Sequence, residues 1–326
     1  MYRQFWRKGV IKIGKNEKLY LFGANEHACA TIPIFPLCGI ILSDIVTFLS
    51  TPNGEKMRSI AIMNQKGGVG KTTTSVNLSA ALAESGARVC LVDLDPQAHA
   101  TLHFGIEPQI EFQSIYDVLV NDLALCAVRR QVAENLWLIP AHIDLAAAEP
   151  ELLGVVGRDM ILRDKLEQDD MPFDYILMDC PPSLGVLTLN ALTAVDEVFL
   201  PLQPHFLALH GLSKLLRTID LVHKRLNNKL RLSGVVLCMY EANTRLAGEV
   251  EADVNAFFQQ TQSRGASPWV GAKIFETKIR RNIRLAEAPS FGKPIFQYDN
   301  SSNGADDYRR LAEEVIADTE ALAGRK

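Results

Sequence analysis

The sequence predicts an α/β fold, a doubly wound and mostly parallel sheet flanked by helices, on three observations. From Met57 onward, short apolar runs alternate with amphipathic stretches of helical length. Runs such as Val89-Cys90-Leu91-Val92 and Ile176-Leu177-Met178 lack the polar alternation of a half-exposed strand, so helices should cover both faces. A glycine-rich turn, Lys66-Gly67-Gly68-Val69-Gly70-Lys71-Thr72-Thr73, joins the first such run to the first helix, at the strand end where a doubly wound sheet binds its ligand.

Taken in order, strands are expected at 59–63, 88–94, 136–140, 174–179, 196–201, 231–239 and 270–275. Helices are expected at 71–84, 114–121, 151–168, 185–194, 208–227, 246–263 and 304–323. The apolar stripe from Leu207 to Leu226 repeats at helical spacing and suits core or dimer contact better than a cofactor box. No internal repeat or low-complexity segment interrupts the pattern.

The chain of 326 residues suits one large domain or two small ones, and its 48% apolar and 22% charged residues suit a sizeable core. A net charge of −4 excludes a generally basic nucleic-acid coat while leaving room for a local patch. The six cysteines, at 30, 38, 90, 126, 180 and 238, form no C-x-x-C pair, which argues for a reducing compartment and against a disulfide framework or a zinc or iron–sulfur site. Most are expected to act as small buried apolar residues.

Residues 1–56 differ from the rest. A basic start (Arg3, Arg7, Lys8, Lys12, Lys15, Lys18) leads into an apolar stretch, Ala28 to Leu49, broken by Pro33 and Pro36 and holding Asp44. Its length would allow a membrane helix or signal peptide, but the prolines, the charge and the lack of a small-residue cleavage pattern weigh against both. A regulatory extension is another option. The preferred expectation is a poorly ordered extension or an over-called start, with the domain proper at 57–326, where Met57-Arg58-Ser59-Ile60 reads as a natural start. Without the extension the charge falls to −7, from 27 Lys and Arg against 34 Asp and Glu.

The glycine-rich turn carries the chemistry. Backbone N–H groups at such a turn converge on a concave anion site, and the helix N-terminus adds partial positive charge. Lys71 would reach the β- and γ-phosphates of a nucleotide and the Thr72 hydroxyl would ligate Mg²⁺. The generic pattern asks for Gly at position 65, where this chain has Gln65 followed by Lys66; the second lysine matches the more restrictive deviant Walker A form, Lys-Gly-Gly-x-Gly-Lys-Thr. Two further strands end in acid, at Asp93-Leu94-Asp95-Pro96-Gln97 and Asp179-Cys180-Pro181-Pro182-Ser183, and a third strand end is Pro201-Leu202-Gln203-Pro204. A strand-terminal Asp beside a phosphate loop can hold Mg²⁺ directly or through water, although one alone often just caps the next helix.

With these motifs and Arg284-Leu285-Ala286-Glu287-Ala288-Pro289-Ser290-Phe291-Gly292-Lys293-Pro294, the chain resembles the ParA/Soj group of partition ATPases, within the MinD/ParA class of deviant Walker A P-loop proteins. The resemblance covers Met57 to about Leu322. It implies ATP and Mg²⁺ as cofactors, with Gly67, Gly68, Val69, Gly70, Lys71, Thr72, Thr73 and Asn282 on the nucleotide. It also implies that Lys66 crosses a dimer interface to the partner's ATP, that Asp95 orients the attacking water and that Asp179 serves Mg²⁺ in its second coordination shell. Such a homodimer sandwiches ATP, binds non-specific DNA, and hydrolyses slowly until a ParB-like or other cargo adaptor stimulates it. The physical logic is that phosphoryl transfer responds to positioning and positive charge, so a lysine supplied in trans couples hydrolysis to dimerisation. The implied location is cytoplasmic and nucleoid-associated.

For DNA, Lys273, Lys278, Arg280, Arg281, Arg284 and Lys293 crowd into 21 residues with only Glu276 and Glu287 as acids. Lys214, Arg217, Lys224, Arg225, Lys229 and Arg231 form a second basic stretch. Such clusters suggest phosphate contacts without base reading, the alternative being a solvated face paired with local carboxylates. The family's Tyr-Asp-x-Arg-Thr is Tyr240-Glu241-Ala242-Asn243-Thr244 here, and its Ile-Pro-Arg-Asn is Ile279-Arg280-Arg281-Asn282, with Arg280 where the resemblance places a Pro near the adenine. DNA contact is therefore expected around Arg245, Lys273, Arg280, Arg281 and Arg284, or with altered affinity.

Among rivals, a MinD-like membrane-cycling regulator is disfavoured by the acidic tail (Glu313, Glu314, Asp318, Glu320), which gives no stable membrane anchor. A metabolic ATP-dependent ligase on the same fold would need a substrate pocket, and an electron-transferring iron protein would need two well-placed cluster cysteines where only Cys180 qualifies. His99 and His103 lack a third ligand and are expected to lie on a helix surface or loop, and Ser183 is expected to be a turn residue.

Overall fold

The structure, a computed structural model, describes residues 10–13, 18–22, 29–33, 57–107, 113–205, 208–262 and 267–323. Two compact units divide the chain, Met1–Gly54 and Glu55–Lys326. In the first, β1 (Val10–Ile13), β2 (Lys18–Phe22) and β3 (Cys29–Pro33) form an antiparallel three-stranded sheet in which Tyr20 pairs with Lys12 on one side and Thr31 on the other. Most of the apolar stretch Ala28 to Leu49, including Pro36, Cys38 and Asp44, lies outside the described residues.

The second unit opens with β4 (Arg58–Ile62), α1 (Lys71–Glu84), β5 (Val89–Asp93), α2 (His99–His103), α3 (Ile115–Leu119), α4 (Leu125–Val128), β6 (Arg130–Ala133) and β7 (Leu136–Ile139). It continues through α5 (Leu145–Glu151), α6 (Ile161–Glu167), β8 (Tyr175–Asp179), α7 (Val186–Ala194), β9 (Glu197–Leu202), α8 (Ala208–Arg225) and β10 (Arg231–Tyr240). The chain then forms α9 (Arg245–Gln262), β11 (Lys273–Ile274), β12 (Ile279–Arg280), α10 (Ile283–Glu287), α11 (Ile295–Tyr298) and α12 (Asn303–Ala323).

The strands order as β11-β10-β9-β4-β8-β5-β7-β6, with β12 also on β10. Every pairing is parallel except β6 on β7. This is the doubly wound, mostly parallel sheet that the sequence predicts. Strands β4, β5 and β8 are buried along their whole length, as an apolar run without alternation requires. Successive residues along and just after β4 serve opposite faces: Ile60 and Ile62 pack with Val76, Leu78 and Leu82 of α1 and Tyr308 and Leu311 of α12, while Ala61 and the following Met63 join the core with Leu192, Leu215 and Ile219. The stripe on α8 is thus core. Each of the fully buried Ile, Val, Leu and Met side chains among these contributes about 1.5–3 kcal/mol.

One buried ion pair ties the sheet to its covering helix. Arg58 donates from Nε and Nη2 to the two carboxylate oxygens of Glu197 at 2.8 and 2.9 Å, and from Nη1 to the Val315 carbonyl at 2.7 Å. Burial alone would raise the Glu197 pKa, but the Arg58 guanidinium and its hydrogen bonds hold it below the ordinary carboxylate value.

The expected helix over 151–168 is corrected by the structure. Residues Leu152–Gly154 and Arg158–Met160 are single 3₁₀ turns, and α6 begins only at Ile161. Gly157, at φ 76°, breaks the helix, and Val155 leaves helical geometry as an extended residue before it. The expected strand 270–275 shortens to β11 because a turn over 267–272 with Gly271 at φ 88° occupies its first half. His103 is also corrected: it is a buried helix residue, 1% exposed, and not a surface histidine. Free Cys90, Cys180 and Cys238 are buried, whereas Cys126 is exposed.

Candidate functional site

The phosphate-loop segment leaves β4 and turns into α1 as its composition requires. Gly68 and Gly70 take φ of 72° and 92°, left-handed conformations that a side chain would strain, and Gly70 is the N-cap of α1. Asn64 fixes the start of the loop: its Nδ2 donates to the Pro201 carbonyl at the end of β9 (2.8 Å), and its Oδ1 accepts from the Lys66 backbone N–H (3.0 Å). Thr74 Oγ1 lies 3.2 Å from Tyr308 Oη and 3.6 Å from Cys238 Sγ, so α1 is held against α12 and β10 at its first turn.

The two loop lysines differ in placement. Lys71 is 7% exposed and its Nζ donates to the Lys66 carbonyl at 3.2 Å. Burial lowers its pKa, an effect that the nearby Asp179 and Asp95 carboxylates oppose. Lys66 is exposed, with its Nζ 2.6 Å from His205 Nε2.

Below the loop, the carboxyl ends of β5 and β8 bring Asp93 and Asp179 side by side in register. Asp179 is fully buried, and Ser75 Oγ of α1 donates to its Oδ1 at 2.8 Å. Its Oδ2 is buried without a hydrogen-bond partner among the described residues. Burial raises its pKa, against the hydroxyls of Thr72 and Ser75 and the Lys71 charge, with Asp95 adding to the rise. Asp95 is 8% exposed, and its Oδ1 accepts from the Gln97 N–H at 3.0 Å.

A cavity of about 980 Å³ runs over the loop. It gathers Gly67, Gly68, Gly70, Lys71, Thr72, Thr73, Asp95, Arg280, Arg281 and Asn282, so residues far apart in sequence share one wall system. Val69, in the same loop, is buried and does not line the cavity. Asn282 caps α10, its Oδ1 accepting from the Arg284 N–H at 2.8 Å. A glycine-rich turn at a helix N-terminus, a buried ammonium and an orphaned carboxylate oxygen next to a threonine hydroxyl form a set that fits a polyphosphate and its hydrated divalent cation.

Every basic residue expected at DNA already has a carboxylate neighbour. Arg280 is forked on Asp307 and reaches Asp306; Lys273 sits between Glu314 and Asp318; Arg284 pairs with Glu287 and Asp299. Arg281 pairs with Glu241 at 3.1 Å and Arg245 with Glu249 at 3.7 Å, and their side chains remain 74% and 95% exposed. Of the second basic stretch, Arg231 lies 3.1 Å from buried Glu197 and Lys224 2.7 Å from Asp220.

Sequence reasoning missed Asn64, Ser75, Thr101 and Tyr308, and it placed Asp93 at a strand end without finding its partner Thr101. Ser75, one turn beyond Lys71 on α1, was within reach of helical spacing; Tyr308 carried no local signal.

Comparison with known proteins places this geometry. A family model described as an AAA domain matches residues 57–232. The chain is 50% identical over 259 residues, 79% of its length and 98% of the relative's, to the sporulation initiation inhibitor protein Soj of Bacillus subtilis. It is 45% identical over 265 residues, 80% of its length and 94% of the relative's, to the chromosome partitioning protein ParA of Caulobacter vibrioides. Among solved structures, cobyrinic acid a,c-diamide synthase from Mycobacterium smegmatis with bound ADP and magnesium matches at TM-score 0.66 and 38% identity, over 80% of this chain and 94% of that one. Apo McdA of Cyanothece matches at TM-score 0.69 and 20% identity, over 80% and 100%, a likeness of fold.

Proposed function

The chain belongs to the ParA/Soj family of partition ATPases, and from that premise we propose that it is an ATP-dependent dimerising switch that binds non-specific DNA as the ATP dimer and positions a chromosome, plasmid or other cargo. The observation that carries this reading is the division between the two lysines of one loop. Lys71 turns inward to the phosphate site, while Lys66 stands exposed, free to serve a neighbouring subunit's nucleotide once the His205 contact opens. Nucleotide would lie along Gly67–Thr73 with its base toward Asn282. Thr72 would ligate Mg²⁺, and Asp179, whose Oδ2 is orphaned, would hold a water of the ion's hydration shell. The ion would neutralise charge on the triphosphate. Asp95 would orient the attacking water, and Lys66 in trans would add positive charge at the γ-phosphate. Hydrolysis would be slow alone and stimulated by a ParB-like or other adaptor, in the cytoplasm on the nucleoid.

The ATPase domain is proposed to span 57–326, with 1–56 as an extension outside it. Arg245 and Arg281, the most exposed of the expected contacts, would carry DNA phosphate contact, with Lys273, Arg280 and Arg284 nearby. Among the described residues no helix is long and apolar enough to cross a membrane. The 38% identity to the diamide synthase favours a second reading, an ATP-dependent amide-forming ligase.

Light scattering of the full chain with ATP and Mg²⁺ tests the switch. Lys66→Ala and Lys71→Ala should remain monomeric, and Asp95→Ala should accumulate a long-lived dimer that retains DNA. Wild-type dimer formation by both lysine variants would refute the scheme. Product formation from a carboxylated corrinoid and glutamine or ammonia would favour the ligase.

A further inference from the structure

Asp93 is the one acid of the Asp93-Leu94-Asp95-Pro96-Gln97 motif to which neither the phosphate loop nor the metal assigns a task, and it is fully buried. Its surroundings are specific. Oδ1 accepts from the Asp95 backbone N–H at 3.2 Å. Oδ2 accepts from both the N–H and the hydroxyl of Thr101, each at 2.8 Å. Thr101 Oγ1 in turn accepts from the Ala141 N–H at 2.9 Å, beyond the end of β7. A single carboxylate therefore holds the beginning of the segment after β5 and the middle of α2, with Asp95 between them.

The segment it spans is strained. Ala98 has φ 52°, a left-handed conformation that costs a residue with a Cβ about 1 kcal/mol or more. The turn is closed by the Ala98 N–H on the Asp95 carbonyl at 2.8 Å, and the Leu94 N–H is fixed on the Asp179 carbonyl at 2.9 Å. Left to itself such a turn would relax and carry the Asp95 carboxylate away from the cavity. Three donors converging on one buried carboxylate resist that.

We propose that Asp93 and Thr101 are positioning residues for the hydrolytic step: together they lock the Asp95–Ala98 turn so that the Asp95 carboxylate stays aimed into the nucleotide cavity. The inference rests on the reading of Asp95 as the water-orienting group. It predicts a particular kinetic signature, because neither residue lines the phosphate loop. Loosening the turn should slow hydrolysis and leave nucleotide capture intact.

Thr101→Val removes the hydroxyl while keeping the shape, and Thr101→Ser restores it. Asp93→Asn replaces one of the two accepting oxygens with an NH2, so either the Thr101 donors or the Asp95 N–H lose their acceptor. Single-turnover ATP hydrolysis by the full-length protein with Mg²⁺ and random-sequence duplex DNA gives the rate, and titration with a fluorescent ADP analogue gives affinity. In Thr101→Val the rate should fall about tenfold or more, with ADP affinity within about twofold of wild type, and Thr101→Ser should recover most of the rate. Should Asp93→Asn fail to fold, the threonine pair alone decides. An unchanged rate in Thr101→Val, or a parallel loss of rate and ADP affinity, overturns the proposal. Asp95→Ala is run alongside: if it hydrolyses ATP at the wild-type rate, the role of Asp95 falls and the lock with it. If it is inactive while Thr101→Val is normal, the lock alone falls.

Discussion

Arg280 and Asp307 are joined as a fork on the wall of the nucleotide cavity. The guanidinium Nε and Nη2 donate to Asp307 Oδ1 at 2.9 and 2.6 Å, and the Arg280 backbone N–H donates to Oδ2 at 2.9 Å. Asp307 is 3% exposed, so this cation neutralises a buried acid of α12 and is poorly placed to leave it for a phosphate.

The DNA surface should accordingly divide. Arg281→Ala and Arg245→Ala are each expected to weaken ATP-dependent binding to random-sequence duplex and to reduce the log–log salt slope by about 1. Arg280→Ala should leave that slope unchanged and lower stability by about 1–3 kcal/mol through the orphaned Asp307. Binding isotherms between about 50 and 200 mM salt, with denaturant melts, separate the two effects. A slope change for Arg280→Ala equal to that for Arg281→Ala would contradict this division.

Gly70→Ala tests the loop. The new methyl would sit at φ 92° and 3.4 Å from Cys238 Cβ, tight and strained together. Stability should fall by about 1–2 kcal/mol, and ADP affinity by about tenfold or more, since re-aimed amides no longer converge on one anion. Calorimetric titration with ADP reads the second effect, and unaltered affinity would show that the turn tolerates re-aiming.

Ser75→Ala should act through Mg²⁺. The variant loses the 2.8 Å hydrogen bond to Asp179 Oδ1 and leaves a fully buried carboxylate with less support. The Mg²⁺ concentration for half-maximal ATP hydrolysis should rise by about tenfold, while nucleotide binding in chelator stays the same. Equal Mg²⁺ dependence in variant and wild type would exclude this coupling.

His103 gives a pH signature. Burial pushes its imidazole down to about 4, against about 6.5 in an unfolded chain. The unfolded state therefore binds more protons between these values, so the contribution of His103 is complete above about pH 6.5 and is lost as pH falls toward 4. The buried Asp93 and Asp179 carboxyls, raised chiefly by burial, act in the opposite sense, which makes the comparison differential. Relative to His103→Leu, wild type should lose roughly 2 kcal/mol between about pH 7 and pH 5 in urea melts. Parallel stability curves would mean that His103 titrates near its ordinary value.

Several features were legible because they are written locally. Buried parallel strands are continuous apolar runs, so β4, β5, β8 and β9 stand within a residue or two of their expected limits. Short-range rules failed where tertiary context decided. Strand β6 is an antiparallel edge with two exposed residues at its start, Arg130 and Gln131, and nothing in its pattern distinguishes it from a loop. The stretch 151–168 holds enough helix formers to read as one helix, yet a left-handed glycine divides it.

The sequence by itself determined the phosphate loop, the acids at the carboxyl ends of β5 and β8, and the order in which they come, because a turn needing left-handed backbone must be glycine and a doubly covered strand must be apolar. Only the tertiary structure decided what those residues touch. Asn64 meets Pro201, Ser75 meets Asp179, Asp93 meets Thr101 and Arg280 meets Asp307 across sequence gaps of up to 137 residues. The reason is physical: a buried polar atom takes whichever donor or acceptor the packed helices and strands bring to it, and that choice is made by the close approach of distant segments, which no local pattern encodes.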